Sequence, residues 1–478
     1  MHLGPFDRRT RRSRCAPCAA SHSKVQQSTP VFPIAIAASN WASPNYGLLT
    51  LADRMSAPRN GAAIRLAKGK LFTAKSFATP VTQRPVPPLS DKTITYLFYF
   101  DIFVRRNSFT GQEPNFLADV QQLVKTCGKA GRDPHNHLLD AMLALGAMQA
   151  NILGGSGCHN SLRFALEHYL QSITSLQGAV LDSTLTRKDS ILWSTFFLGL
   201  FELLQDASGQ KWLQHMVFGT SQALIASGPS ACTSGTMRNF FIQARTFEVC
   251  RSIIFNQSSF LAAPEWMKVT RNLSEEANIQ SRASVDDILN IIVLCSRLRA
   301  RTGQFIRSHT SFAGVEVPSI DALELATEGF YLRDALENWK LDASFSSAQH
   351  NEMLLAMSYY SATSIYLSGN YDYDLHHWQE MTVAVPVLSR DEILKHVEDI
   401  LQSTREALRS STLSPLLHLF PLRVAGARSR EHSQRQAVTE CLLEVKKRFA
   451  VADAMLVELD ELWSLTPIAP SNPISLDT

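Results

Sequence analysis

Cys15-Ala16-Pro17-Cys18 places two thiols at i and i+3, a separation at which two thiolates can clasp one Zn²⁺. Arg8, Arg9, Arg11, Arg12 and Arg14 lead into this pair, and His22 and Lys24 follow it. Arginine and lysine in such a run neutralise phosphates, which gives salt-dependent affinity for a polyanion with little sequence information. The same residues also read as a nuclear-import type of basic cluster beside an incidental CxxC.

Further along, the residues that could do chemistry are sparse. Asp286-Asp287 could hold Mg²⁺ through paired carboxylates, but the stretch DDILN brings no third carboxylate and no second metal motif follows. Acidic residues opening a helix explain the pair better. Ser21-x-x-Lys24 has the spacing of a Ser–Lys nucleophile yet lies in a basic coil without a scaffold. Gly154-Gly155-Ser156-Gly157 lacks the strand–turn–helix setting of a nucleophile elbow and reads as a helix stop. His135-x-His137 and His376-His377, the latter near Asp372 and Asp374, could donate to a metal. In a coil, adjacent histidines are solvated as a rule. His215 falls on a core helix and reads as a hydrogen-bonded structural histidine. No catalytic constellation is complete, so an all-α enzyme ranks third among the readings.

The elements that must position these groups are helices. In the stretch Asp189–Pro229, Trp193, Phe196, Phe197, Leu200, Phe201 and Leu204 recur at helical spacing, which puts large apolar groups on one stripe. Asp189 is suited to cap the start. Asp206 to Gly209 reads as a turn, and a second helix follows with Leu213, Met216, Val217 and Leu224 on one face. Gly228-Pro229 stops it. Two helices joined by a short turn fold back antiparallel, and the rest of the chain must supply the other walls.

Before and after this hairpin come further helical patterns. They are an aromatic stretch from Asp91, then 138–153, 162–181, 237–255, 285–305, 323–339, 353–367, 389–409, 413–425 and 436–463. Ser284-x-x-Asp287 and Ser389-x-x-Glu392 are capping-box patterns. No period-two strand and no regular repeat is visible, so the expected fold is all-α, an irregular multi-helix body of antiparallel hairpins. The expected organisation is a basic arm at 1–24, a disordered Pro/Ser/Ala-rich linker at 25–90, the helical domain at 91–465 and a C-terminal tail at 466–478.

Composition agrees with a globular body. Of 478 residues, 45% are hydrophobic and 19% charged, enough for a substantial core. The longest apolar run, Ile191 to Leu204, is broken by Ser194, Thr195 and Glu202 and falls short of the ~18 residues a membrane span needs. Charge is uneven: residues 1–92 carry +11 and the remainder −8, for a net +3. A basic arm on an acidic body points to a polyanionic partner for the arm. The cysteines at 127, 158, 232, 250, 295 and 441 lie mostly in apolar stretches, where Cys acts as a small hydrophobe, and a reducing compartment is expected. The Arg-, Ser- and Ala-rich start also shares the composition of a mitochondrial presequence, although frequent Pro spoils an amphipathic helix there.

Several stretches together resemble the regulatory domain of fungal-specific transcription factors, the binuclear zinc-cluster, six-cysteine class. LLDAMLALGAMQA is similar to that family's early Ala/Leu helix, and ALEHYLQSITSL to its next "AL-x-x-Y-x-x-x-L-x-x-L" helix. Glu202 followed by Trp212, His215, Gly219 and Leu224, then Gly228-Pro229, matches best. LSPLLHLFPLRVAGARSR and AMLVELDELW resemble the family's late segments, and the likeness extends over most of residues 93–465. By this resemblance Glu202, Trp212, His215, Gly219, Gly228 and Pro229 are structural family positions.

The head, RRTRRSRCAPCAASHSKV, resembles the basic lead and first two cysteines of the family's Cys-x2-Cys-x6-Cys-x(5–12)-Cys-x2-Cys-x(6–9)-Cys cluster. Lys24 stands where a lysine usually precedes the third cysteine. Val25 occupies that third position, and no cysteine follows before Cys127. Two zinc ions need six thiolates to bridge and close their shells, so the site formed by Cys15 and Cys18 is incomplete. Either the cluster has decayed, or the Pro/Ala/Ser stretch after Lys24 is a retained intron, which sequencing the transcript across codons 20–95 decides.

The resemblance implies a nuclear transcription regulator that contacts DNA through Arg8, Arg9, Arg11, Arg12, Arg14 and Lys24. Its partners would be other transcription regulators and a small-molecule effector, with no membrane, and its targets a gene cluster such as one for secondary metabolism. The alternative is a DNA-independent co-regulator whose helical body is an interaction module. No sustained heptad follows the head, so a coiled-coil dimer is not expected.

Overall fold

The computed structural model describes residues 91–110, 116–129, 136–154, 160–181, 188–278, 284–308, 319–344 and 350–465. The arm, the linker and the tail expected at 1–24, 25–90 and 466–478 lie outside the described residues. Among those described, every regular element is helical, joined by turns and coil, apart from one isolated parallel bridge between Ser108 and Leu413.

Two packed halves can be followed in chain order. The first holds α1 (Asp91–Arg106), α2 (Phe116–Lys129), α3 (His137–Ile152), α4 (Ser161–Leu181) and α5 (Lys188–Gln205). A short α6 (Gln210–Gln214) then runs through a π-helical turn, π1 (His215–Thr220), into α7 (Ser221–Ser227). After a 3₁₀ turn come α8 (Gly235–Ile254), α9 (Pro264–Asn278), α10 (Val285–Ser308), α11 (Ile320–Ala343), α12 (His350–Asp372), α13 (Leu375–Glu380) and α14 (Arg390–Ser410). The chain closes with α15 (Leu419–Arg428), α16 (His432–Lys446) and α17 (Ala452–Leu465). Helix α3 packs on α1, α4 and α5, while α12 packs on α10 and α14.

The α5 helix is the centre of the first half. Every residue from Ile191 to Leu204 is buried, so the apolar groups serve all faces rather than the single stripe expected from spacing. Its walls come from several helices. Phe116 of α2 stacks on Trp193 at 4.8 Å, Phe100 of α1 meets Phe197 edge-on at 5.1 Å, and Phe240 of α8 meets Trp193 at 5.1 Å. Offset and edge-to-face rings of this kind favour fixed geometry over a fluid core. The buried α3 approaches α1 very closely: a Cβ added at Gly146 would lie 2.0 Å from the Tyr96 carbonyl oxygen.

Several expectations are corrected. Asp189 lies inside the first turn of α5 instead of capping it. The second arm of the hairpin is interrupted by π1, which packs on α5; Met216 and Leu224 are buried while Leu213 is half-buried. The single helix read at 436–463 is two, α16 and α17, separated by a turn in which Phe449 and Val451 enter the core. The segment read as helix from 413 opens instead with the bridge and a 3₁₀ turn, Pro415–His418, and α15 follows. Helices α2 and α9 were missed; Pro264 opens α9, where its missing N–H costs nothing. Both capping boxes formed. Ser389 and Glu392 exchange side-chain to backbone bonds, and the Asp287 N–H donates to Ser284 Oγ at 3.2 Å while the Ser284 N–H donates to Asp287 Oδ2 at 3.2 Å.

Candidate functional site

The tyrosine of α4, the glutamate of α5 and the histidine of π1 converge on one buried point. Tyr169 donates its hydroxyl to Glu202 Oε1 and stands 3.4 Å from His215 Nε2. Its ring stacks on Phe201 at 4.6 Å. Glu202 is wholly buried, with Gln205 Nε2 donating to it at 3.4 Å and the Lys211 ammonium 3.8 Å away as an ion-pair partner. Burial raises the Glu202 carboxyl above its ordinary value, while Tyr169, Lys211 and Gln205 pull it back. Burial, and then the Lys211 charge, push His215 down to about 4. A neutral imidazole beside a reluctant carboxylate is suited to holding three elements together. Trp212 is buried beside them, 6.5 Å from Phe255.

At the other end of the hairpin, Gly228 adopts φ +78°, a left-handed value that favours glycine. Its N–H caps the carbonyls of Leu224 and Ile225, and Pro229 opens a 3₁₀ turn. Gly219 is buried within π1. The structure therefore brings Glu202 and His215 into one network with Tyr169. Tyr169 was part of the α4 pattern in the sequence, but periodicity alone did not mark it as their partner.

Two further buried networks tie α8 into the body. Glu248 accepts from Arg251 Nη2 at 2.7 Å, Ser221 Oγ at 2.8 Å and Ser259 Oγ at 2.7 Å. The Arg245 guanidinium donates to Asp286 Oδ1 at 2.6 Å, to the Asp286 carbonyl at 2.9 Å and to Asn290 Oδ1 at 2.8 Å. Asp286 is thus an ion-pair partner and Asp287 a cap. Among the described residues no three His, Cys, Asp or Glu side chains are grouped to hold a metal.

The described histidines of the two pairs sit on helices. His137 is buried with Nδ1 2.8 Å from Ser194 Oγ, and His135 lies outside the described residues. His376 and His377 sit in the short helix α13, not in a coil, with rings 3.9 Å apart. Asp372 is engaged by Arg428, whose Nη2 donates to its two oxygens at 2.8 and 2.7 Å.

Arg8, Arg9, Arg11, Arg12, Arg14, Lys24, Cys15 and Cys18 lie outside the described residues. Among the described residues, the cysteines of the helical body are not grouped to supply the four thiolates that a two-zinc cluster would still need. Cys232, Cys250, Cys295 and Cys441 are scattered over α8, α10, α16 and the 3₁₀ turn before α8. Burial pushes the Cys232 thiol up to about 12 and that of Cys250 to about 11, and raises Cys295 and Cys441 as well. These are packed thiols, not metal-ready thiolates. The donor set does not fit a two-zinc cluster.

Residues 96–471 match the fungal specific transcription factor domain, and the chain belongs to that family. A curated relative, an uncharacterized protein of Emericella nidulans, is 27% identical over 114 residues. That match covers 23% of this chain and 24% of the relative, so it spans about a quarter of each. No solved structure matches. Among the described residues no helix is long and apolar enough to cross a membrane.

Proposed function

We propose that this chain is a nuclear transcription regulator in which the basic head contacts DNA phosphates and the helical body binds other regulators and a small-molecule effector. The observation that carries the reading is the family match over 96–471, behind a segment of opposite charge to the body. Arg8, Arg9, Arg11, Arg12, Arg14 and Lys24 supply phosphate contacts and steering. No step runs through zinc, because Cys15 and Cys18 leave a two-metal cluster without its remaining ligands. By the resemblance, the targets form a gene cluster of the secondary-metabolite kind.

Mobility shifts with the full chain at two salt concentrations test this. Binding that weakens steeply with salt, and is lost when the five arginines become alanine, supports it. Absence of binding even at low salt refutes direct DNA contact. The missing cysteines favour a second reading, a co-regulator that reaches DNA through a partner. It requires capture of a DNA-binding protein and unchanged target expression in the five-alanine variant. Transcript profiling after deletion of the gene tests the gene-cluster assignment, and a response dispersed over the genome would overturn it.

A further inference from the structure

A basic cleft lies between α10, α12 and α15, far in sequence from the head. Tyr366 and Gly369 of α12 and Tyr373, in the turn just after it, line the cleft, and the C-terminal half of α15 faces them. Arg299 of α10 enters from the side and donates through Nη1 to the Gly369 carbonyl at 2.7 Å. Its Cζ lies 5.8 Å from the centre of the Tyr373 ring, and that of Arg428 lies 4.4 Å from the same ring. Two guanidiniums therefore pack against one aromatic ring. Gly369 makes room for this: an added Cβ would stand 3.1 Å from Tyr373 and 3.2 Å from Arg428 Nη2.

The cations of the cleft outnumber the carboxylates that answer them. Asp372 takes Arg428, and Glu458 takes Arg423 through two bonds of 2.8 and 2.7 Å. Arg299 has no carboxylate within 4.0 Å among the described residues, and its one hydrogen bond there, to Gly369, leaves further N–H donors in hand. Ile253, Ile365 and Val424 form an apolar wall beside it. A second chamber shares Tyr373, Ala427 and Arg428 and adds Arg430, Arg435 and Trp463. No Asp or Glu lines either chamber.

We propose that this cleft binds a small organic anion, with its carboxylate or phosphate held on Arg299 and Arg428 and a short apolar body against Ile253, Ile365 and Val424. Arg299 stands without a carboxylate beside two ion-paired arginines, and its planar fork of donors matches a two-oxygen anion. The first chamber is a small cavity of about 50 Å³ that opens to solvent. That space suits a compact anion better than a large ligand. The inference gives a site and a ligand class to the effector in the proposed function and rests on that reading for its regulatory role. Binding itself is read on the purified protein whatever the chain does to transcription.

The test is calorimetric titration of the full chain at constant ionic strength, with chloride as reference and benzoate, succinate and inorganic phosphate as separate probes. Saturable one-to-one binding of a carboxylate probe or of phosphate is expected, and which arm responds identifies the head group. Arg299→Gln should weaken that binding by about tenfold or more, the loss of a charged hydrogen-bonding partner. Arg299→Lys, which keeps the charge but not the fork, should weaken it less and serves if the glutamine variant does not fold. If Arg299 only clamps the end of α12, Arg299→Gln lowers thermal stability while probe affinity stays at the wild-type value, and the proposal fails. It also fails if none of the three probes gives saturable heat.

Discussion

The Tyr169 hydroxyl donates to the buried Glu202 carboxylate across the contact of α4 with α5, and the same hydroxyl faces His215 of π1. Two stretches that look like separate signals along the chain are thus halves of one buried network. Removing the hydroxyl leaves the carboxylate short of its main donor in a place that water does not reach. Tyr169→Phe should therefore cost about 1–3 kcal/mol of stability, the price of an unsatisfied buried polar group. Urea unfolding with an unchanged slope would show it; a loss below about 0.5 kcal/mol would mean that Lys211 and Gln205 already satisfy Glu202.

The pH dependence of the Glu202 contribution has a definite sign. Burial raises its folded-state value above the ordinary one, so the native state holds the proton more tightly than the unfolded chain. Stability is then lost as pH rises from about 4.3, the unfolded value, through the folded one, and is constant above it. Glu202→Gln carries no charge at any pH. The difference in Tm between wild type and Glu202→Gln should fall over that interval and then level off. A difference that grows with pH would reverse the assignment.

His418 works in the opposite direction. It is buried at the start of α15, and burial pushes it down to about 4. Below about pH 6.5 the unfolded chain takes up a proton that the folded one refuses, so stability falls as pH drops through 6.5 towards 4. At pH 5 the loss is about 2 kcal/mol for a group shifted this far. His418→Gln should shrink the difference in unfolding free energy between pH 7 and pH 5 by about that amount. His215 should behave alike, with Lys211 contributing to its shift.

The all-helical class was legible because apolar residues recur at helical spacing in stretch after stretch, and Gly228 and both capping boxes sat where the helix ends are. What spacing could not give was the set of contacts between helices. Ile191 to Leu204 reads as one stripe, yet the burial of its other faces depends on α1, α2 and α8, which are remote in sequence. The π turn is invisible because no residue spacing distinguishes it from the α-helix on either side. The amphipathic α2 and α9 were lost among polar residues. The basic cleft was illegible because Arg299, Gly369 and Arg428 come from three helices and share no motif.

Two glycines should respond to alanine with opposite signs. At Gly146 the new Cβ would lie 2.0 Å from the Tyr96 carbonyl and 3.0 Å from the Phe100 nitrogen, both backbone atoms that cannot rotate away. α1 and α3 must separate, and the cost should exceed the propensity gain, for a net loss of about 2 kcal/mol or more. Gly178 lies on the exposed side of α4 with nothing within 4 Å, so Gly178→Ala should stabilise by up to about 1 kcal/mol. Thermal melts of the two variants check the pair, and equal shifts would mean that the α1–α3 approach is not tight.

Asp286 can be assigned by asking what its loss exposes. Arg245 is 1% exposed and Asp286 is 36% exposed at the side chain, so the pair is half in water and its loss is smaller than for a fully buried pair. Asp286→Ala leaves the guanidinium with one carbonyl and Asn290 and should cost about 2 kcal/mol, below the roughly 3–5 kcal/mol of a fully buried break. Arg245→Met removes the charge that needs the partner, so the double variant should be more stable than Asp286→Ala alone. A metal role makes a different demand: millimolar Mg²⁺ would raise the wild-type Tm and leave Asp286→Ala unmoved. Unfolding curves with and without Mg²⁺ separate the two. A Tm indifferent to the ion, with partial rescue by Arg245→Met, identifies Asp286 as the counter-charge that lets an arginine sit inside the junction of α8 with α10.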